Sequence, residues 1–279
     1  MPDCRICGSQ DADEPIALRE MMFGTREEFD YFRCRDCDTL QICVVPDDLS
    51  PFYPDNYYSF KPRRRSIRAR VRTLIKGHDL PEWAASLDRR SRVLDIGCGS
   101  GAMLHDMKSW GFRSLFGYDP YCTPSTMGGV RVSDQKPVGE TFDVVMMHHS
   151  IEHVPDPART LAEAGEWLAP SGLMVIRIPV RQGWAWREYG TNWVHLDPPR
   201  HLYHWTVAGF TRFVEQCGFA VVDQGFDGTI FSLLASPLYA KDISQIEHKH
   251  DIPEGLLRFA NDLNEAGDGD CAWFILRRA

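Results

Sequence analysis

The 279-residue chain has no long apolar run, no excess of positive charge, and no internal repeat or low-complexity tract. Its uninterrupted apolar stretches, such as Gly172 to Ile176, fall far short of the roughly 18–20 residues a membrane-spanning helix needs. The first residues carry no apolar segment of signal-peptide type, so a cytoplasmic protein without a transmembrane segment is expected. There are 31 basic and 39 acidic side chains, and the resulting net charge of -8 repels phosphate backbones unless a local patch overrides it. A composition of 43% hydrophobic and 25% charged residues excludes disorder and collagen-like repeats. The length fits one large core with an appended module, or two domains.

What is present is unevenly placed. Five of the nine cysteines (Cys4, Cys7, Cys34, Cys37 and Cys43) fall in the first 43 residues. An odd number suits no closed disulfide scaffold, and in a reducing compartment cysteines more often mean metal, redox chemistry or packing. The spacing decides: Cys4-Arg5-Ile6-Cys7 and Cys34-Arg35-Asp36-Cys37 are two C-x-x-C turns separated by 26 residues. Each turn can aim two thiolates at one ion, and two turns complete a tetrahedral four-sulfur site. A structural zinc site with every position filled by protein is expected, and Cys43 is left spare.

Residues 1–60 therefore read as a zinc-ribbon module. It closes with Pro46, Pro51, Pro54 and the aromatic run Phe52, Tyr53, Tyr57, Tyr58, Phe60. Residues 61–90 read as a basic linker helix, since Lys61 to Lys76 hold eight Lys or Arg and no acid, with Ile67, Val71, Leu74 and Ile75 at helical spacing. Such a segment is a solvated face with an apolar underside, or a surface for anionic lipid.

From Ser91 short apolar runs alternate with helical periodicity: RVLDIGCG, GAMLHDMKSW, SLFGYDP, FDVVMMHH, DPARTLAEAGEWL, GLMVIRIP. Strand and helix in alternation imply an α/β fold with a parallel sheet covered on both faces. The end differs, because helix TVAGFTRFVEQCG precedes strand FAVVDQGF and the closing CAWFILRRA can join the sheet antiparallel. Within this pattern Asp95-Ile96-Gly97-Cys98-Gly99-Ser100-Gly101 is a strand end, a glycine turn and a helix start, where backbone can approach a ligand and the helix N-terminus favours an anionic group. Asp119 follows Gly99 by 20 residues, at the end of the next strand, where a carboxylate can accept ribose hydroxyls. The loop alone also fits a dinucleotide fingerprint.

Asp95 before G-x-G-x-G, together with FDVVMMHHSIEHVPDP and LAPSGLMVIRIP, resembles the class I S-adenosylmethionine-dependent methyltransferases over roughly residues 91–279. HHSIEHVPDP and WVHLDPPRHLYHWT are similar to their small-molecule members, and the cysteine start followed by YPDNYYSF is similar to bacterial sugar methyltransferases. The resemblance implies a Rossmann-like sheet of seven strands, the last antiparallel, and S-adenosylmethionine as cofactor. Gly97, Cys98, Gly99 and Gly101 would cradle its methionyl part, Asp95 its ammonium and Asp119 its ribose. Tyr118 and Pro120 would flank the adenosine, and His148 and His149 would lie beside the methyl donor.

Methyl transfer to a hydroxyl needs alignment and a proton acceptor, and neutral histidine has the right ordinary pKa. Candidates are His149, His195 and His201, with His201 preferred, while His153 caps or packs beside Glu152. Arg200 offers a planar fork to an oxyanion on the acceptor, or braces its loop; Tyr203 is a second acceptor contact. The acceptor, expected to be a sugar, nucleotide sugar or lipid-linked intermediate, would enter between the zinc module and the His201 loop. No magnesium-type carboxylate cluster follows the fourth strand, so metal-independent transfer is expected. Two other readings stay open: an RNA base methyltransferase, disfavoured by the charge, and a non-catalytic scaffold, against which the intact glycine loop argues.

Overall fold

The computed structural model describes residues 2–54, 80–244 and 252–279. The basic segment from Lys61 to Lys76 and the aromatics Tyr57, Tyr58 and Phe60 lie outside the described residues. The N-terminal part contributes β1 (Ile16–Arg19), β2 (Glu28–Arg33) and β3 (Leu40–Ile42). The larger part then runs α1 (Glu82–Ala85), β4 (Arg92–Ile96), α2 (Ala102–Ser109), β5 (Ser114–Tyr118), β6 (Ser125–Met127), β7 (Val130–Ser133), β8 (Phe142–His148), α3 (Pro157–Glu166) and β9 (Leu168–Pro179). It continues with α4 (Trp184–Tyr189), β10 (Tyr203–His204), α5 (Val207–Gln216), β11 (Phe219–Phe226), α6 (Ile230–Tyr239), α7 (Leu256–Glu265) and β12 (Cys271–Arg278).

Period-two alternation sends each strand's apolar side chains to both faces of one large sheet. In β4 and β8, Leu94, Val145 and Met147 join the core under α3 and α5, while Val93, Val144 and Met146 join the core under α1 and α2. Strand order is β11-β12-β9-β8-β4-β5-β7-β6. β4 lies parallel to β5 and β8, β9 to β8, and β7 to β5, whereas β12 is antiparallel to both β9 and β11. This is the Rossmann-like methyltransferase sheet read from the sequence, its closing strand antiparallel, with the short β6 added as a hairpin partner of β7. Local signals set the helix starts: the Asp156 side chain accepts from Arg159 N ahead of α3, and Thr206 accepts from Gly209 N ahead of α5.

A second sheet has the order β1-β2-β3-β10. Its last strand comes from the loop after β9, with Tyr203 opposite Gln41 and His204 opposite Leu40. Leu18, Tyr31, Leu40 and Ile42 of the N-terminal strands belong to the same core as Leu94 and Phe274. The cysteine-bearing residues are thus packed into the large core through the histidine loop.

Candidate active site

The parallel order brings the turns after β4 and β8 side by side at the carboxyl edge of the sheet, where Ile96 is registered with Met147. Gly97, Gly99 and Gly101 all have positive φ, at 74°, 52° and 77°. At Gly97 this is compounded by proximity, because a Cβ there would lie 2.5 Å from Ser150 Cβ. Ser150 Oγ in turn donates to the Ile96 carbonyl at 2.8 Å, which locks the two turns together. Asp119 organises the loop from the neighbouring strand end: Oδ2 accepts from Gly99 N at 2.9 Å and Oδ1 from Tyr121 N at 2.8 Å. Each oxygen keeps a lone pair for a further donor.

Asp95 is buried, and its Oδ1 has no hydrogen-bond partner among the described residues. Burial and the Asp119 charge push its carboxyl well above the usual carboxylate range. A buried carboxylate oxygen of this kind fits an ammonium group, so the residues present suit the amino-acid end of a methyl donor. Tyr118, Cys98 and Pro120 are placed as follows. The Tyr118 ring packs edge-on against Trp167 at 6.1 Å, and its contribution to the loop is its carbonyl, which accepts from Gly97 N at 2.8 Å. Cys98 turns inward, where its Sγ would meet a Cβ at Gly117 at 2.5 Å. Pro120 is exposed.

His149 follows β8 directly and has φ 52°, a left-handed conformation that a non-glycine residue adopts only under constraint from its surroundings. Its amide donates to the Arg177 carbonyl at 2.9 Å, so β9 fixes the turn. The side chain remains 27% exposed while its Nδ1 stands 3.4 Å from Oε1 of Glu152, which is 1% exposed. Neither Glu152 oxygen has a hydrogen-bond partner within the described residues. Burial pushes the Glu152 carboxyl up, but the imidazoles of His149, His153 and His201 outweigh it and bring it down to about 2. His148, next in line, faces Arg177, whose Nε stands 2.7 Å from Asp227.

The other histidines are placed differently. His201 is buried, its Nδ1 donates to the His195 carbonyl at 2.7 Å, and burial pulls it down to about 3. It is a neutral, interior group with little basicity, which corrects the expectation that it leads as base. His195 lies nearly parallel to His149 with centroids 6.5 Å apart, and burial lowers it too. Its Nε2 faces Asp270 at 3.8 Å and Cys271 Sγ at 3.7 Å.

Arg200 and Tyr203, expected to meet the acceptor, are braces instead. Arg200 is fully buried: Nε and Nη2 donate to Asp197 at 2.9 and 2.5 Å, Nη2 to Glu20 at 2.8 Å, and Nη1 to the Phe52 carbonyl at 3.2 Å. The Tyr203 hydroxyl donates to the Pro155 carbonyl at 2.7 Å and accepts from Arg5 Nε at 3.2 Å. These contacts tie the cysteine module to the His201 loop, between which the acceptor was expected to enter.

In the module, Gly8 N and Asp38 N donate to Cys4 and Cys34 carbonyls, and both donors sit at positive φ, so the two turns share one geometry. Cys4 and Cys37 Sγ are 3.6 Å apart, as are Cys7 and Cys34 Sγ. A tetrahedron with Zn–S bonds of about 2.3 Å has an edge of about 3.8 Å, so the four sulfurs fit zinc. Gln41 Nε2 donates to Cys4 Sγ at 2.9 Å, a sulfur partner typical of such sites. Elsewhere, Glu152, His153 and His201 offer ligand-type atoms within 4.8 Å of one another, and so do His195, Asp270 and Cys271.

A family described as "Methyltransferase domain" matches residues 64–224. The chain belongs to this family. Its curated relatives include ubiquinone biosynthesis O-methyltransferases of Azorhizobium caulinodans, 31% identical over 132 residues (41% of this chain, 51% of the relative), and of Rhodopseudomonas palustris, 26% identical over 166 residues (52% and 63%). The chain thus spans about half the length of the first of these curated relatives. Among solved structures it is similar to an S-adenosylmethionine-dependent methyltransferase from Archaeoglobus fulgidus, with 19% identity and a TM-score of 0.46 over 83% of this chain and all of that one. A second similar structure is a methyltransferase from Thermotoga maritima described as a possible histamine N-methyltransferase, with 20% identity and a TM-score of 0.45 over 70% and 84%. The glycine loop, Asp95 and Asp119 lie at the same carboxyl edge of the sheet as the His149 turn. Among the described residues, no helix is long and apolar enough to cross a membrane.

Proposed function

We propose that the chain transfers a methyl group to a hydroxyl of a small molecule, with His149 as general base and Glu152 as the group that orients it. The observation that carries this reading is the His149 turn: a partly exposed imidazole, backed at 3.4 Å by a buried carboxylate and tied through Ser150 to the strand end that leads into the glycine loop. S-adenosylmethionine, when bound, supplies an electrophilic methyl on a sulfonium that becomes a neutral thioether as the acceptor oxygen takes the methyl. Asp95 would meet its ammonium and Asp119 its ribose. With Glu152 facing it at 3.4 Å, Nδ1 of His149 would carry the proton, so Nε2 would present a lone pair to the hydroxyl and take its proton. A carboxylate behind an imidazole acts in this way in other proton transfers, by fixing tautomer and stabilising the imidazolium.

Relatives named for O-methylation support an oxygen acceptor. A nucleotide-linked sugar, suggested by the cysteine module, and a hydroxylated precursor of ubiquinone, suggested by the relatives' names, are therefore the two acceptors to offer. The four N-terminal cysteines are read as a structural zinc site. The test is methyl incorporation from labelled S-adenosylmethionine into both acceptors, with S-adenosylhomocysteine binding followed by calorimetry. His149→Gln should lower turnover about 10²–10⁴-fold and leave S-adenosylhomocysteine affinity unchanged. Full turnover in that variant would refute the assignment of the base.

A further inference from the structure

We infer that the N-terminal cysteine module positions Glu152, through a hydrogen-bonded line from β3 across the histidine loop to the turn after β8. The inference rests on the reading of His149 and Glu152 as base and orienting acid. The Ile42 amide donates to the Leu202 carbonyl at 3.0 Å, and the Leu202 amide donates to the Glu152 carbonyl at 2.8 Å. A single loop residue therefore spans the gap between β3 and the carboxylate-bearing residue.

Parallel contacts reinforce this line. Tyr31, wholly buried in β2, donates its hydroxyl to the His201 carbonyl at 2.7 Å. The Tyr53 hydroxyl lies 3.0 Å from His153 Nδ1, and Glu20 accepts from Arg200 at 2.8 Å. These contacts run from residues before 54 to residues 153–201; those of Tyr31 and Tyr53 reach His201 and His153, whose ring nitrogens lie within 4.8 Å of a Glu152 oxygen, and that of Glu20 reaches the side chain of the adjoining Arg200. Glu152 itself has no hydrogen bond at its carboxylate tip among the described residues, so its position is inherited from the backbone that carries it. Small misplacement of such a group is costly: about 1 Å can lower a rate on the order of 10²-fold.

The donor side is held in another way. Gly97, Gly99 and Asp119 are fixed by one another, by Tyr118 and by Ser150, through contacts that involve no residue of the module. The module should therefore govern the base side of the site and leave donor binding alone.

Two variants of the full chain test this. Tyr31→Phe removes one hydroxyl without opening a cavity, and Cys34→Ser removes a sulfur from the zinc set. The readouts are zinc per chain, S-adenosylhomocysteine affinity, amide hydrogen exchange at Leu202, and kcat against KM for S-adenosylmethionine. Tyr31→Phe should keep its zinc and bind S-adenosylhomocysteine within about twofold of the unaltered protein. Its Leu202 amide should exchange at least tenfold faster, and kcat should fall with KM unchanged. Cys34→Ser should lose zinc and show the same pattern, enlarged. Unchanged Leu202 exchange in both variants overturns the inference, and so does a parallel loss of S-adenosylhomocysteine affinity in Tyr31→Phe. Exchange at Leu202 needs no turnover, so full turnover in His149→Gln refutes the base reading while exchange still decides this one.

Discussion

Replacing Arg200 with methionine separates bracing from acceptor binding. Arg200 and Glu20 are both 0% exposed and Asp197 is 12% exposed, so the replacement removes the counter-charge of two interior carboxylates, of which Glu20 keeps hydrogen bonds from Phe23 N, Thr25 N and Thr25 Oγ1. Burial pushes Asp197 up, yet the Arg200 guanidinium outweighs it and holds the carboxyl at about 2 rather than 3.8. A depression of nearly two pKa units corresponds to about 2.5 kcal/mol of folding stability. Because the folded-state value is the lower one, this contribution is complete above about pH 4 and is lost as pH falls through 2. Removing one partner of a buried pair typically costs about 3–5 kcal/mol, since the remaining charge is uncompensated. Urea unfolding followed by tryptophan fluorescence should show a loss of that size at pH 7 for Arg200→Met, with the difference from the unaltered protein shrinking toward pH 3. A loss under about 1 kcal/mol at pH 7, combined with a raised KM for the acceptor, would refute the bracing role and restore Arg200 as an oxyanion receptor.

Three further outcomes are expected. Asp119→Ala should weaken S-adenosylhomocysteine binding by at least about 100-fold in calorimetry, because a charge-assisted contact and the Gly99 anchor are lost together; equal affinity would place the donor elsewhere. Burial lowers His153, His195, His201 and His204, His201 to about 3, so the unfolded chain binds protons that the folded chain refuses. Stability should therefore be complete above about pH 6.5 and decline as the solution is acidified toward 3, and a flat urea midpoint over that window would contradict the burial of these rings. Chelation of free divalent ions, with the metal content of the four-cysteine site verified as unchanged, should leave methyl transfer intact; a loss restored by added divalent cation would make Glu152, His153 and His201 cation ligands instead.

The large sheet was legible because its signals are local. Alternation in FDVVMMHH, the glycine turn at Gly97 and the carboxylate at Asp119 each sit within one element, and the order of elements leaves few ways to pair them. The cysteine turns were readable for the same reason. The pairing of β3 with β10 was not: Leu40 and His204 lie 164 positions apart, and a two-residue strand carries no periodic signal. The histidines could be named but not ranked, since the ranking depends on burial. PPRHLYHW looks like a catalytic loop by composition, yet His201 is interior and Arg200 is saturated by Asp197 and Glu20. The available clue to the alternative was the spacing His149-x-x-Glu152, which places a carboxylate one turn from an imidazole. Glu20, Tyr31 and Leu202 left no comparable trace, because nothing in their neighbourhoods distinguishes them from ordinary core residues.

The strand exchange between β3 and β10 limits how this protein can be dissected. The family match begins at residue 64, which invites excision of the first 54 residues as a dispensable appendage. A chain cut there would uncover the edge of β10, strip Arg200 of Glu20 and leave Tyr203 and His204 open to other strand edges. The module is equally unsuited to transplantation by itself, since its sheet is one strand short without the partner loop. Any exchange between homologous enzymes would have to move the cysteine turns and the 195–205 loop as one piece.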